Sequence, residues 1–155
     1  MKHYIDPETN DIYAYESDGS QDAHIKEGLV PISDEDLAAM IAPTTEQLLS
    51  QLTAARKEQE QQGVDINGIR YAGDPGNRQA LQEAIAFMDD AGLTEFESWK
   101  DSDNVFHANH PLADVRDAYR AIGIHRVALI EAEGQYAAQI ISGTLTDLSE
   151  LVWPA

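Results

Sequence analysis

The 155-residue chain contains no cysteine. That excludes disulfides, thiolate metal sites and cysteine nucleophiles together, and leaves the redox compartment open. Basic residues are scarce: ten Lys and Arg stand against 28 Asp and Glu, for a formal net charge of −18. They are also scattered, with Arg56-Lys57 as the longest cluster. Affinity for nucleic acid comes largely from cations that neutralise phosphates, so a nucleic-acid partner is not expected. An anionic membrane surface is disfavoured for the same reason. There is no run of about 18 apolar residues, so no membrane span is expected. The opening Met1-Lys2-His3-Tyr4-Ile5-Asp6-Pro7 has no apolar signal segment, so secretion is not expected either.

Hydrophobic residues make up 43% of the chain, enough for one modest core or two small ones. The acidity is uneven. Residues 1–42 hold two basic and ten acidic side chains, net −8; residues 43–155 hold eight and 18, net −10. The shorter part is therefore much more acidic per residue, which favours two modules with a boundary between 1–43 and 44–155.

The first module reads as β-rich. Tyr4 and Ile5 lead into the turn cluster Asp6 to Asp11, and Ile12 to Tyr15 resume an extended pattern. Ser17-Asp18-Gly19-Ser20 is a second turn, and a third extended piece is expected between His24 and Ile32. Ser33 then opens a short helix with acidic residues at its N-terminus, and Pro43 stops it.

The second module opens with a helix from Thr44-Thr45 to Gln62, ended by Gly63. Its latter half, Arg56 to Gln62, has no apolar residue and is expected to be a solvated spacer or part of an intermolecular helix pair. Asn67-Gly68 between alternating apolar residues predicts a type I′ hairpin. A helix over Leu81 to Ala91 follows, ended by Gly92, and then a second hairpin turning at Asp101 to Asn104, with Trp99 and Phe106 expected to pair in the core. From Pro111 a long helical pattern places Val115, Ala118, Ile122, His125, Leu129, Ala132 and Tyr136 at alternating spacings of three and four. Gly123 and Gly134 mark places where it would bend or break. A last amphipathic piece ends at Trp153-Pro154. The fold class is therefore α+β: a small N-terminal β-rich module, then a helix, two β-hairpins and a long C-terminal helical region.

Catalytic chemistry is not visible. His107, His110 and Asp114 lie close together, and a metal-assisted hydrolase would draw on them, but a helix start with solvated His and Asp is the plainer reading. Asp101-Ser102-Asp103-Asn104 resembles the opening of a calcium loop yet has Phe106 where that loop needs glycine. Carboxylate pairs are expected by chance among 28 acidic residues, and Ser50 and Ser142 lack a nucleophile elbow. No cofactor and no catalysis are expected.

The aromatics are more informative. Tyr4, Tyr13 and Tyr15 fall in a module too small to bury all of them, and tyrosine suits interfaces because one end is apolar and the other wet. Trp153 is either docked on its own chain or an exposed anchor. The stripe carrying Val115, Ile122 and Leu129 is a candidate homodimer contact.

Two segments carry a resemblance. Met1-Lys2-His3-Tyr4-Ile5-Asp6, Ile12 to Gln21 and Pro31-Ile32-Ser33-Asp34-Glu35-Asp36 resemble the N-terminal segment of tail-fibre assembly proteins of tailed bacteriophages and phage-tail-like bacteriocins. Ala54-Ala55-Arg56, Gly63 to Tyr71, Trp99-Lys100-Asp101 and the long helix look like an uncharacterised domain common in phage tail proteins. The resemblance implies a non-enzymatic chaperone that binds the C-terminal region of the phage tail-fibre protein and assists its trimerisation in the host bacterial cytoplasm, with retention on the virion tail as a further implication. A permanent structural or adaptor component of the tail is the competing reading. The resemblance supplies no active-site residues.

Overall fold

The computed structural model describes residues 1–154. The chain divides into two compact units, Met1–Thr44 and a second that begins at Thr45. The division falls one residue from the boundary read in the charge pattern. The architecture is α+β, as expected.

In the first unit, strands β1 (Lys2–Ile5), β2 (Ile12–Tyr15) and β3 (Val30–Ile32) form one antiparallel sheet in the order β2-β1-β3. The β1–β2 turn is held by Asp6, whose Oδ1 accepts from the Glu8 amide at 2.9 Å, and Asn10 takes a left-handed φ of 62°. Only the last three residues of the expected third extended piece form a strand; Asp22–His24 are a short 3₁₀ turn. Helix α1 (Asp34–Ile41) starts where Ser33 Oγ accepts from the Asp36 amide at 3.0 Å. No residue of this unit is fully buried.

The second unit runs α2 (Thr45–Gln62), β4 (Val64–Ile66), β5 (Ile69–Tyr71), α3 (Pro75–Ala91), β6 (Glu95–Lys100), β7 (Phe106–Pro111) and α4 (Leu112–Ser142). The β4–β5 hairpin has the expected turn, with Asn67 and Gly68 at φ of 55° and 80°. Asp74 caps α3, its Oδ1 accepting from the amides of Gly76 and Asn77. The long helix is continuous over 31 residues, so neither Gly123 nor Gly134 breaks it. Its buried stripe, with Val115, Ala118 and Ile122, packs with Tyr71 and Leu81 into one core. Farther along, Ile140 packs with Leu48 and Leu52 of α2 into a second core. Of the last amphipathic piece, Ile140 and Ile141 are the end of α4 and the rest is not helical. It leaves α4 at Gly143 and lays Leu145, Leu148 and Leu151 against that second core.

The apolar-free half of α2 is not a spacer: Lys57, Glu58, Gln61 and Gln62 are exposed, but Arg56 and Glu60 turn inward on its packed side. Along α2 the contacts run Leu52 to Ile140, Arg56 to Glu133 and Glu60 to Arg126, so α2 and α4 are antiparallel neighbours. Where apolar residues stop, ion pairs take over. Glu60 is 8% exposed and meets three guanidiniums: Arg56 on its own helix, Arg78 of α3 at 3.5 Å and Arg126 of α4 at 3.3 Å. Arg56 also meets Glu133 at 2.6 Å, and Thr53 donates to Glu133 at 2.7 Å. A sequence pattern that counts only apolar positions cannot register this kind of burial. The crossing behind it is tight: a Cβ at Gly73 would lie 2.1 Å from the Glu60 carbonyl oxygen.

Among the described residues no helix is long and apolar enough to cross a membrane. Replacing Glu60 by alanine would remove the one carboxylate that Arg56, Arg78 and Arg126 share and leave a buried gap. Glu60→Ala is expected to destabilise the second unit by about 3–5 kcal/mol in urea unfolding, and a loss under about 1 kcal/mol would show that the cluster does not hold these helices together.

Candidate functional site

In the first unit, strand register decides which side chains share a face. Tyr4 stands opposite Tyr13, and Lys2 opposite Tyr15. Directly opposed residues point the same way, and so do residues two apart, so Tyr4, Tyr13 and Tyr15 share one face of the sheet. The rings of Tyr4 and Tyr15 meet edge to face at 5.6 Å. Lys26 Nζ sits 4.5 Å from the centre of the Tyr13 ring and donates to its hydroxyl at 3.3 Å. That hydrogen bond holds the Lys26 ammonium above its ordinary range. Lys2 Nζ donates to Asp22 at 2.7 Å, which ties the 3₁₀ turn to the strand. All three tyrosines are half-buried, with part of each ring in solvent. Strands β2 and β3 are the outer strands of this sheet. Pro31 lies in β3 and lacks an N–H, which blunts that edge; β2 has no such residue.

In the second unit the structure separates His107, His110 and Asp114 into different bonds. His107 Nε2 pairs with Asp101 Oδ2 at 2.8 Å. His110 is buried, and its Nε2 meets the Tyr71 hydroxyl at 2.5 Å. Asp114 accepts from Asn67 Nδ2 at 3.1 Å. Among the described residues no group of His, Asp and Glu is arranged to hold a metal ion. The expected solvated helix start is thus corrected: His110 is a core residue, stacked on Trp99 at 5.6 Å.

Burial raises the Tyr71 phenol to about 12 and holds His110 below its ordinary range. The bond therefore joins a neutral phenol to a neutral imidazole. The His107 hydrogen bond keeps the Asp101 carboxyl below the usual carboxylate range, and Asp101 Oδ1 accepts from the amides of Asp103 and Val105. Asp101 to Asn104 thus close the expected hairpin turn. Ser102 docks that turn on β5, its Oγ accepting from the Ala72 amide at 2.7 Å. A pocket of about 130 Å³ beside it is lined by Tyr71, Leu81, Trp99, Asp101 and Ser102. That is room for a few waters and below the usual size of a substrate cleft.

Three further expectations are corrected. Val115, Ile122 and Leu129 are 0%, 3% and 0% exposed, so that stripe is spent on the chain's own interior and offers no dimer face. Trp153 is docked on its own chain: its ring meets Tyr136 at 5.8 Å, and the Tyr136 hydroxyl donates to the Val152 carbonyl at 2.8 Å. Half-buried against the second core, it takes the docked reading and is not the exposed anchor. Phe106 does not pair with Trp99. Trp99 stands opposite His107 and packs on Phe96 at 4.9 Å, while Phe106, one residue out of phase, is 69% exposed.

The His110–Tyr71 pair has a measurable signature. The unfolded chain takes up a proton on His110 near pH 6.5, whereas the folded chain resists it to lower pH. Stability is therefore full above the ordinary histidine range and is lost as pH falls through it. Urea midpoints recorded from about pH 7.5 to about pH 5 should fall, and His110→Gln should flatten that slope. Tyr71→Phe should cost about 1–3 kcal/mol at neutral pH by leaving Nε2 buried without a partner.

No curated protein and no solved structure matches the chain. Residues 43–151 match a family described as a domain of unknown function (DUF4376). The matched range begins one residue before the end of the first unit, so the family domain and the second compact unit coincide. The chain belongs to the DUF4376 family.

Proposed function

We propose that this protein is a non-catalytic assembly chaperone for the tail fibre of a tailed phage or phage-tail-like bacteriocin. It binds the C-terminal region of the fibre and works in the host bacterial cytoplasm. The observation that carries the reading is the sheet face of Tyr4, Tyr13 and Tyr15, which is half-exposed in a unit with no fully buried residue. The residues that bear the resemblance to tail-fibre assembly proteins are the ones that build this sheet.

The physics suits the role. A trimeric fibre tip must bring strands from separate chains into register, and unpaired edges stay exposed until it does. A small sheet with an open β2 edge offers backbone groups to such a strand, and tyrosines beside that edge add contact at low entropic cost. A net charge of −8 over residues 1–42 selects against other acidic surfaces and favours a basic one. The half-buried state of the tyrosines matters here. Their rings are fixed by Lys26 and by one another, so little freedom is lost on binding.

Co-expression of a tail-fibre protein, the proposed partner, with and without this chain tests the reading. Soluble trimeric fibre should increase when the chain is present. A variant carrying Tyr4→Ala, Tyr13→Ala and Tyr15→Ala should lose that gain, with binding weaker by about 2 kcal/mol or more. Equal trimer yield in all three cases would remove the proposal.

A further inference from the structure

Helix α4 carries a second repeat on the side away from its buried stripe. Ala113, Asp117, Arg120, Ile124, Val127, Glu131, Gly134 and Ala138 follow at spacings of four and three in alternation, the spacing of a helix–helix seam. Every one of them is exposed, with Ile124 at 66% and Val127 at 56%. We propose that this face is the seam of a homodimer, in which α4 of two copies packs antiparallel across a two-fold axis, Ile124 of each against Val127 of the other.

The argument is self-complementarity. With Ile124 level with the second copy's Val127, an antiparallel pair sets Arg120 level with Glu131, Asp117 with Gly134, and Ala113 with Ala138. Apolar meets apolar, cation meets anion, and small meets small at the ends. The two-fold axis repeats each pairing, as an isologous interface requires. A parallel pair would instead set Arg120 beside Arg120 and Glu131 beside Glu131, which repel. Gly134 fits the same scheme. A Cβ there would meet nothing of its own chain within 4 Å, so internal packing gives no reason for a residue that costs about 1 kcal/mol against alanine in a helix interior. Opposite the second copy's Asp117, its missing side chain leaves room.

The net charge of −18 opposes self-association in general. At about 0.15 M salt, screening over about 8 Å restricts the repulsion to charges near the seam. Along the seam α4 presents Arg120 against Asp117 and Glu131, and beside it Arg116 pairs with Asp89, so this strip carries little of the chain's acidity. The seam differs from the stripe of Val115, Ile122 and Leu129, which is buried.

Sedimentation equilibrium of the full chain, from about 1 to about 200 µM, tests the seam. A monomer–dimer equilibrium is expected. Arg120→Glu alone and Glu131→Arg alone should each weaken it about tenfold or more, since symmetry turns two attractive pairs into two repulsive ones. The two changes together should restore it to within about threefold. Val127→Asp should abolish it while circular dichroism stays unchanged, because the residue is exposed. A monomer at every concentration would overturn the proposal. So would a dimer indifferent to these changes, or one that the double reversal fails to restore. Loss of fibre binding by Val127→Asp with the dimer intact would assign the face to another partner and overturn it as well.

Discussion

Glu60 is the carboxylate about which the helices of the second unit are arranged, since guanidiniums from α2, α3 and α4 converge on it. Three arginines are a large share of the ten basic residues in a chain with 28 acidic ones. Concentrating them at one buried point lets a polar helix half pack against α4 without apolar side chains. It also leaves the remaining surface strongly acidic. The same cluster sets the course of the backbone, because the α2 terminus passes so close to Gly73 that no Cβ fits between them.

With α2 fixed along α4, the rest of the unit falls into place on either side. Toward the start of α4, both hairpins and α3 close over Val115, Ala118 and Ile122, with Tyr71 and His110 as a buried polar pair in an otherwise apolar core. Toward its end, the segment after Gly143 folds back over Leu48, Leu52 and Ile140. Helix α4 therefore has a fully occupied side and a fully open one. The first unit has the opposite character. Its sheet buries nothing completely and holds its tyrosines by ring contacts and one lysine. A scaffold that is firm in one unit and open-faced in the other suits a protein that works by presenting surface to a partner.

Local signals were legible wherever one short stretch decides the outcome. The Asn67-Gly68 turn, the Ser33 cap and the glycine ends of α2 and α3 depend on a few neighbouring residues and need no distant contact. Alternation along β2 puts Tyr13 and Tyr15 on one side, but only the register of β1 against β2 adds Tyr4 to them. What escaped were relations between distant segments. Nothing near Glu60 in the chain signals Arg126, and nothing near Tyr71 signals His110.

The amino-acid order by itself determined the charge imbalance, the α+β class and the apolar stripe of the long helix, because each follows from composition or from a repeat within one segment. Only the tertiary structure decided how these were used. The stripe went inward and left its opposite side open, Trp153 folded onto Tyr136, and an apolar-free helix half was packed on one side by ion pairs. Periodicity says which residues share a face but not what that face meets, and that is settled by packing between segments far apart in the chain.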